Sequence, residues 1–242
     1  MNALRCGDRE IYPQARTLRE MQSVIFDRDW LRTADLDQTL YLMYRDCVLP
    51  QDRQIAQELE VRYDITVLLP VRLGREFNKT KGHYHSEYKP GLCYPELYQV
   101  LEGEAHILLQ KRSGETVSDV VLVLAHEGQI VLVPPNYGHI TINPTEKILK
   151  MANWVSTKVQ SFYEPFEAKG GGAYFEVGGE GLLIPNPRYN SLPPLRVVPA
   201  CEYPELGLRH GPLIYELIKT PERLRFLSCP EEPLISEYAA HH

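Results

Sequence analysis

The sequence predicts an all-β fold: a jelly-roll barrel with an N-terminal helical segment and a short C-terminal helical extension. Three observations predict it. From residue 63 onward the chain runs as short apolar stretches, DITVLLPVRLG, ELYQVLEGEAHILLQKR, DVVLVLAHEGQIVLVPPNYGHITIN and KILKMANWVS. Turn signals separate them at Leu73-Gly74, Glu102-Gly103, Ser113-Gly114, Glu127-Gly128 and Pro134-Pro135. Few long helical periodicities interrupt these runs, which disfavours a βαβ arrangement.

Taken in chain order, residues 15–60 read as mostly helical and polar. ARTLREMQSVIFD places Leu18, Met21, Val24 and Ile25 at helical intervals, and DLDQTLYLMYRD and PQDRQIAQELEV read as two further short helices or turns. This gives an expected N-terminal extension over 1–60 packing on the barrel, and the barrel itself over 61–180. The stretch 170–200 is rich in Gly and Pro and reads as an excursion with one or two strands. An extension over 181–242 holds one short helix, around PLIYELIKTPERLRFL, and is expected to cover the barrel or a dimer contact.

Bulk properties narrow the function classes. The 242 residues are 43% apolar and 24% charged, enough to bury a core without covalent staples. The net charge of −6 argues against a general binder of nucleic acid or of anionic membranes. Cys6, Cys47, Cys93, Cys201 and Cys229 are odd in number and show no CxxC spacing, against a disulfide framework or a thiolate zinc site. Together with an N-terminus lacking an apolar signal segment and the absence of a membrane-spanning run, this predicts a cytoplasmic protein. His241 and His242 are native or a tag remnant and receive no functional role.

The chemistry starts at KTKGHYH, residues 79–85, where His83 and His85 stand at i and i+2. In a strand that spacing sends both imidazoles to one face. Glu96 begins the next strong strand, with Tyr98 and Val100 on its own face and Leu97, Gln99 and Leu101 on the other. His139 follows the Pro134-Pro135 turn. Three imidazoles and one carboxylate suit a single divalent transition metal ion: iron, manganese, nickel, cobalt or zinc. Each of these residues taken alone has an ordinary structural reading. The ordered set points to a metal-binding barrel.

These residues also carry a resemblance. GHYHSEYKPGLCYPELYQVLEGEA resembles the first cupin motif, with a longer spacer than usual before Glu96 and with Gly103 closing it. GQIVLVPPNYGHITIN resembles the second, with Gly128, Pro134, His139 and Asn143 in place. RYDITVLLPVRLGREFNKTKGHYH, YPELYQVLEGEAHILLQ and VPPNYGHITIN together, with LYLMYRD upstream, resemble the cupin-type glucose-6-phosphate isomerases over about residues 15–180. The resemblance implies that His83, His85, Glu96 and His139 are the metal ligands. It implies a phosphate position at Thr66, Thr80 and Gly82, where hydroxyls and a main-chain amide meet a phosphate and a glycine permits close approach. Lys81 or Lys79 adds charge there, with Arg62 and Arg72 as rivals. Tyr163 matches a substrate-side tyrosine, but the histidine that often precedes it is absent, with Ser161 and Phe162 in its place. A second expected tyrosine is replaced near Trp154.

The implied activity is aldose–ketose isomerisation of a sugar phosphate. Glu96 acts as ligand and, on a proton route, as base, while a hydride shift needs no base at carbon. Tyr98 either bonds to substrate or packs in the barrel. The competing readings are another cupin enzyme (a mannose-type isomerase, an epimerase or a dioxygenase) and a non-catalytic sugar-binding cupin. A homodimer is expected, because open sheet edges seek partners.

Overall fold

A computed structural model describes residues 3–178 and 182–230, so His241 and His242 lie outside the described residues. Two sheets form its frame. The first has six strands in the order Ile130–Val133, Glu96–Glu102, Leu149–Ser156, Val61–Leu68, Thr39–Tyr44, Gln14–Thr17. The second, of eight strands, runs Leu182–Pro185, Tyr174–Val177, Glu76–Lys79, Tyr137–Asn143, Glu104–Ser113, Thr116–His126, Leu195–Pro199, with Arg72–Leu73 paired to Glu76–Lys79. Leu195–Pro199 lies parallel to Thr116–His126. The other pairings along these two orders are antiparallel. The expected all-β jelly-roll is what the chain forms.

Strand alternation divides the apolar residues between two cores. Tyr98, Val100 and Met151 from the first sheet meet Ile107, Leu109, Val121 and Ile140 from the second in the inner core. The opposite face of the first sheet, with Leu97, Leu132, Tyr63 and Trp154, is covered by Tyr203, Ile214, Ile218, Leu224 and Phe226 from the C-terminal extension. Polar ties fix that cover in place. Trp154 Nε1 donates to the Ile214 carbonyl (2.8 Å), the Ile214 amide donates to Gln99 Oε1 (2.9 Å), and Gln99 Nε2 donates to the Pro212 carbonyl (2.9 Å). The extension itself is a run of 3-10 turns, Ile214–Lys219 and Pro221–Arg223, ending in the short helix Arg225–Ser228.

The N-terminal segment departs from the expected helices. ARTLREMQSVIFD begins as the strand Gln14–Thr17 and continues through one helical turn, Leu18–Met21, and a 3-10 turn, Gln22–Val24. Leu18, Met21, Val24 and Ile25 are all buried, so the apolar positions hold although the helix is brief. DLDQTLYLMYRD is a strand, Thr39–Tyr44, not a helix. Its Leu and Met favour helix locally. However, the strand is covered on both faces, with Leu40, Tyr41 and Met43 in the inner core and Tyr44 in the outer. A doubly buried strand shows no alternation to distinguish it from a buried helix. PQDRQIAQELEV does contain a helix, Arg53–Glu58.

Candidate metal centre and substrate pocket

Short pairings on the inner face of the barrel bring the four predicted ligands together. The His83 and His139 amides each donate to the other's carbonyl (3.3 and 3.1 Å), so these two residues face each other across an isolated bridge. Gly82, just before, has φ +79°, and a Cβ there would stand 2.5 Å from Ile140 Cγ1. Only glycine allows the chain to pass this close to the His139 strand. His85 lies in the strand Tyr84–His85, paired with Ser161–Phe162. Glu96 opens its strand between Val133 and Val155.

The side chains converge. One ligand atom from each of His83, His85, Glu96 and His139 lies within 4.8 Å of all the others. Nε2 of His85 is 3.2 Å from Nε2 of His83 and 3.2 Å from Glu96 Oε2, and His139 Nε2 is 3.3 Å from the same carboxylate oxygen. His85 Nδ1 donates to the Tyr94 carbonyl (2.9 Å), which fixes the proton on Nδ1 and leaves the inward Nε2 with a bare lone pair. Among the described residues, the buried Glu96 Oε2 finds no hydrogen-bond donor of acceptable geometry. Ring nitrogens and an anionic oxygen crowded at these distances repel unless a cation or a ring proton lies between them, and a single ion relieves every one of these contacts at once. The donor set therefore fits a divalent transition ion.

Electrostatics agree with this fit. Burial, reinforced by His139 and His85, holds the His83 imidazole well below its ordinary pKa, and burial lowers His139 despite Glu96 beside it, so both rings stay neutral and able to ligate. Burial alone raises the pKa of Glu96, but the proximity of His139 and His85 opposes it and holds the carboxyl well below its usual range, so Glu96 is the anion of the set. Asn153 Nδ2 donates to the other carboxylate oxygen, Oε1 (2.7 Å), and so orients it. Tyr98, on the face shared with Glu96, brings its hydroxyl to 3.2 Å from His139 Nε2. Burial and Glu96 raise its pKa well above the ordinary value, so it remains a protonated donor.

One pocket contains the cluster, and Thr66, Thr80, Lys81, Gly82, Tyr98 and Tyr163 also line it. These residues, proposed from the sequence for substrate contact, are therefore beside the cluster, as is Arg62, whereas Lys79 and Arg72 are not. Several are already engaged. Thr80 Oγ1 accepts from the Thr141 amide (2.9 Å), and the Lys81 ammonium pairs with Glu167. The Tyr163 ring lies 5.6 Å from that of His83. Lys79 is elsewhere, buried against Glu76, and Arg72 packs on the Phe77 ring. Trp154 points away from the pocket to the outer core, while its neighbours Asn153 and Val155 line the pocket.

The sequence reading did not single out Tyr41, Arg45 or Asn153, which also line the pocket. Asn153 had a signal, a lone amide inside the apolar run KMANWV. Tyr41 and Arg45 were hidden because both lie in DLDQTLYLMYRD, the segment read as a short helix or turn.

The sequence matches the glucose-6-phosphate isomerase (GPI) family over residues 15–190. A glucose-6-phosphate isomerase of Thermococcus litoralis is 33% identical over 134 residues, 54% of this chain and 63% of that protein. The chain thus spans less than two thirds of that relative. One of Pyrococcus furiosus is 28% identical over 177 residues, 72% of this chain and 86% of that protein. Among solved structures, vicilin from hazelnut (Corylus avellana) is similar with a TM-score of 0.37 at 13% identity, covering 51% of this chain and 32% of that one. On the match over residues 15–190, the chain belongs to the glucose-6-phosphate isomerase (GPI) family.

Proposed function

We propose that this protein is a metal-dependent aldose–ketose isomerase that interconverts glucose 6-phosphate and fructose 6-phosphate, the step shared by glycolysis and gluconeogenesis. It works in the cytoplasm, as a homodimer. The observation that carries the reading is the convergence of three imidazoles and the orphaned Glu96 oxygen inside the pocket that also holds Thr66, Thr80 and Gly82. Family membership supports the substrate.

His83, His85, Glu96 and His139 hold the ion. When bound, a divalent ion polarises the carbonyl and hydroxyl oxygens at C1 and C2 and offsets negative charge that develops there. The phosphate end of the sugar lies against Thr66, Thr80 and Gly82, with Lys81 at its edge. Tyr163 borders the sugar beside His83. Tyr98, protonated, donates a hydrogen bond to a substrate oxygen.

Glu96 is a poor free base in this arrangement, because Oε1 is committed to Asn153 and Oε2 faces the imidazoles. A hydride shift fits better than proton abstraction: hydrogen passes with its electron pair between C2 and C1 while one oxygen loses a proton and the other gains one. The test of function is a coupled assay for glucose 6-phosphate formed from fructose 6-phosphate, with each candidate metal added in turn. The expected result is metal-dependent turnover, and no turnover with any metal refutes the proposal.

A further inference from the structure

We infer that Arg45 and Arg62, clasped on the single buried carboxylate of Asp64, form the charge-recognition wall of the pocket and select the phosphorylated sugar. The inference rests on the sugar-phosphate reading above and assigns the charge to residues other than Lys81.

Asp64 is fully buried, and its oxygen Oδ2 accepts from both guanidiniums, from Arg45 Nη1 at 2.6 Å and from Arg62 Nε at 2.9 Å. Its other oxygen accepts from the Asp46 amide (2.9 Å). One carboxylate therefore faces two permanent cations, and one positive charge is left over. Both side chains reach the pocket and remain partly exposed, 40% for Arg45 and 32% for Arg62. Among the described residues, the terminal nitrogens of Arg62 donate no hydrogen bond, so part of its donor fork is free for a ligand.

The remaining cations near the site are already neutralised. Lys81 pairs with Glu167, Arg16 with Glu20, and Lys79 with Glu76. Of the three cations that line the pocket, Arg45, Arg62 and Lys81, only the arginine pair carries a surplus.

Strand register places this surplus at a useful reach. Glu96 stands opposite Val155, and Val155 opposite Arg62, so the three side chains share one face. Two strand spacings separate Glu96 from Arg62, about 10 Å between backbones. A six-carbon sugar with its reacting end at the imidazole cluster can thus present its far end to the guanidiniums. Thr66 lies two residues along from Asp64 on the same face, which places a hydroxyl beside the arginines. A rigid guanidinium fork with free N–H groups matches a phosphate, and Asp64 holds both forks in position before a ligand arrives.

The test uses single variants of the metal-loaded protein, because each leaves the other arginine to keep Asp64 paired. Binding of inorganic phosphate is measured by calorimetry and KM for fructose 6-phosphate by the coupled assay. Arg45→Met and Arg62→Met are each expected to weaken phosphate binding about tenfold, the loss of one hydrogen bond to a charged group, and to raise KM by a similar factor with kcat little changed. Arg62→Lys, which keeps charge but not the fork, is expected to fall between and serves if Arg62→Met does not fold. Arg72→Met, outside the pocket, is expected to change neither quantity. Phosphate binding equal to wild type in both methionine variants, no phosphate binding by wild type, or a larger loss in Lys81→Met than in either would overturn the assignment. If phosphate binding follows the expected pattern but wild type does not isomerise fructose 6-phosphate, the arginine assignment stands and the isomerase reading fails.

Discussion

Replacing Asn153 with alanine removes a residue that touches no substrate in this account, yet the account predicts a large loss of metal affinity. Asn153 is buried, and its amide donates to Glu96 Oε1 at 2.7 Å. A hydrogen bond to a charged group contributes roughly 1.5–3 kcal/mol, and here the acceptor cannot turn to water once the donor is gone. If that bond is what holds Oε2 toward the three imidazoles, its loss appears in the metal dissociation constant as about a 10- to 100-fold weakening, the range seen when a partner that orients a ligand is removed. Competition against a chelator of known affinity measures the constant directly, and a circular dichroism spectrum checks the fold. Asn153→Asp sharpens the test, because it sets a second carboxylate against the first and raises the cost of keeping Glu96 ionised. Asn153→Ala with a dissociation constant within about twofold of wild type, in a folded protein, would refute the orienting role; that margin is well below the loss of one such bond.

Other consequences can be checked with standard measurements. Thr80→Val removes a hydroxyl expected to meet the phosphate, and also the acceptor for the Thr141 amide; KM for the sugar phosphate should rise, with a stability loss of about 1 kcal/mol in urea unfolding. An unchanged KM would remove Thr80 from the phosphate position. Trp154→Ala, at a fully buried ring bonded to Ile214, should cost about 3–5 kcal/mol and loosen the C-terminal cover, read as faster amide exchange over residues 201–228. Substrate deuterated at C2 should pass its label to C1 of the product; wash-out of the label into solvent would favour a proton route and a base.

Most of the candidate metal centre was legible because its signals are local. His83 and His85 reach the same point by strand alternation alone, and Glu96 with Tyr98 shares a face for the same reason. His139 needed only a strand after a turn. What stayed hidden depends on pairing between distant strands. Asn153 meets Glu96 because Leu149–Ser156 lies beside Glu96–Glu102, and Arg45 meets Arg62 because Asp64 receives both. No spacing within one segment encodes either contact. Thr39–Tyr44 was misread because burial on both faces erases the alternation that marks a strand. The grip of the extension on Gln99 and Trp154 spans 115 and 60 residues of chain, and local sequence reasoning could say only that the extension covers the barrel or a dimer contact.

The most direct test is X-ray absorption spectroscopy on the metal-replete protein, with metal content measured in parallel for His85→Ala and His139→Ala. The account predicts one ion per chain, bound by three imidazole nitrogens and a carboxylate oxygen, and loss of both ion and isomerase activity in each variant while the circular dichroism spectrum stays that of a β protein. Ligation without imidazole, or a folded His139→Ala variant that keeps its ion and its turnover, would contradict it.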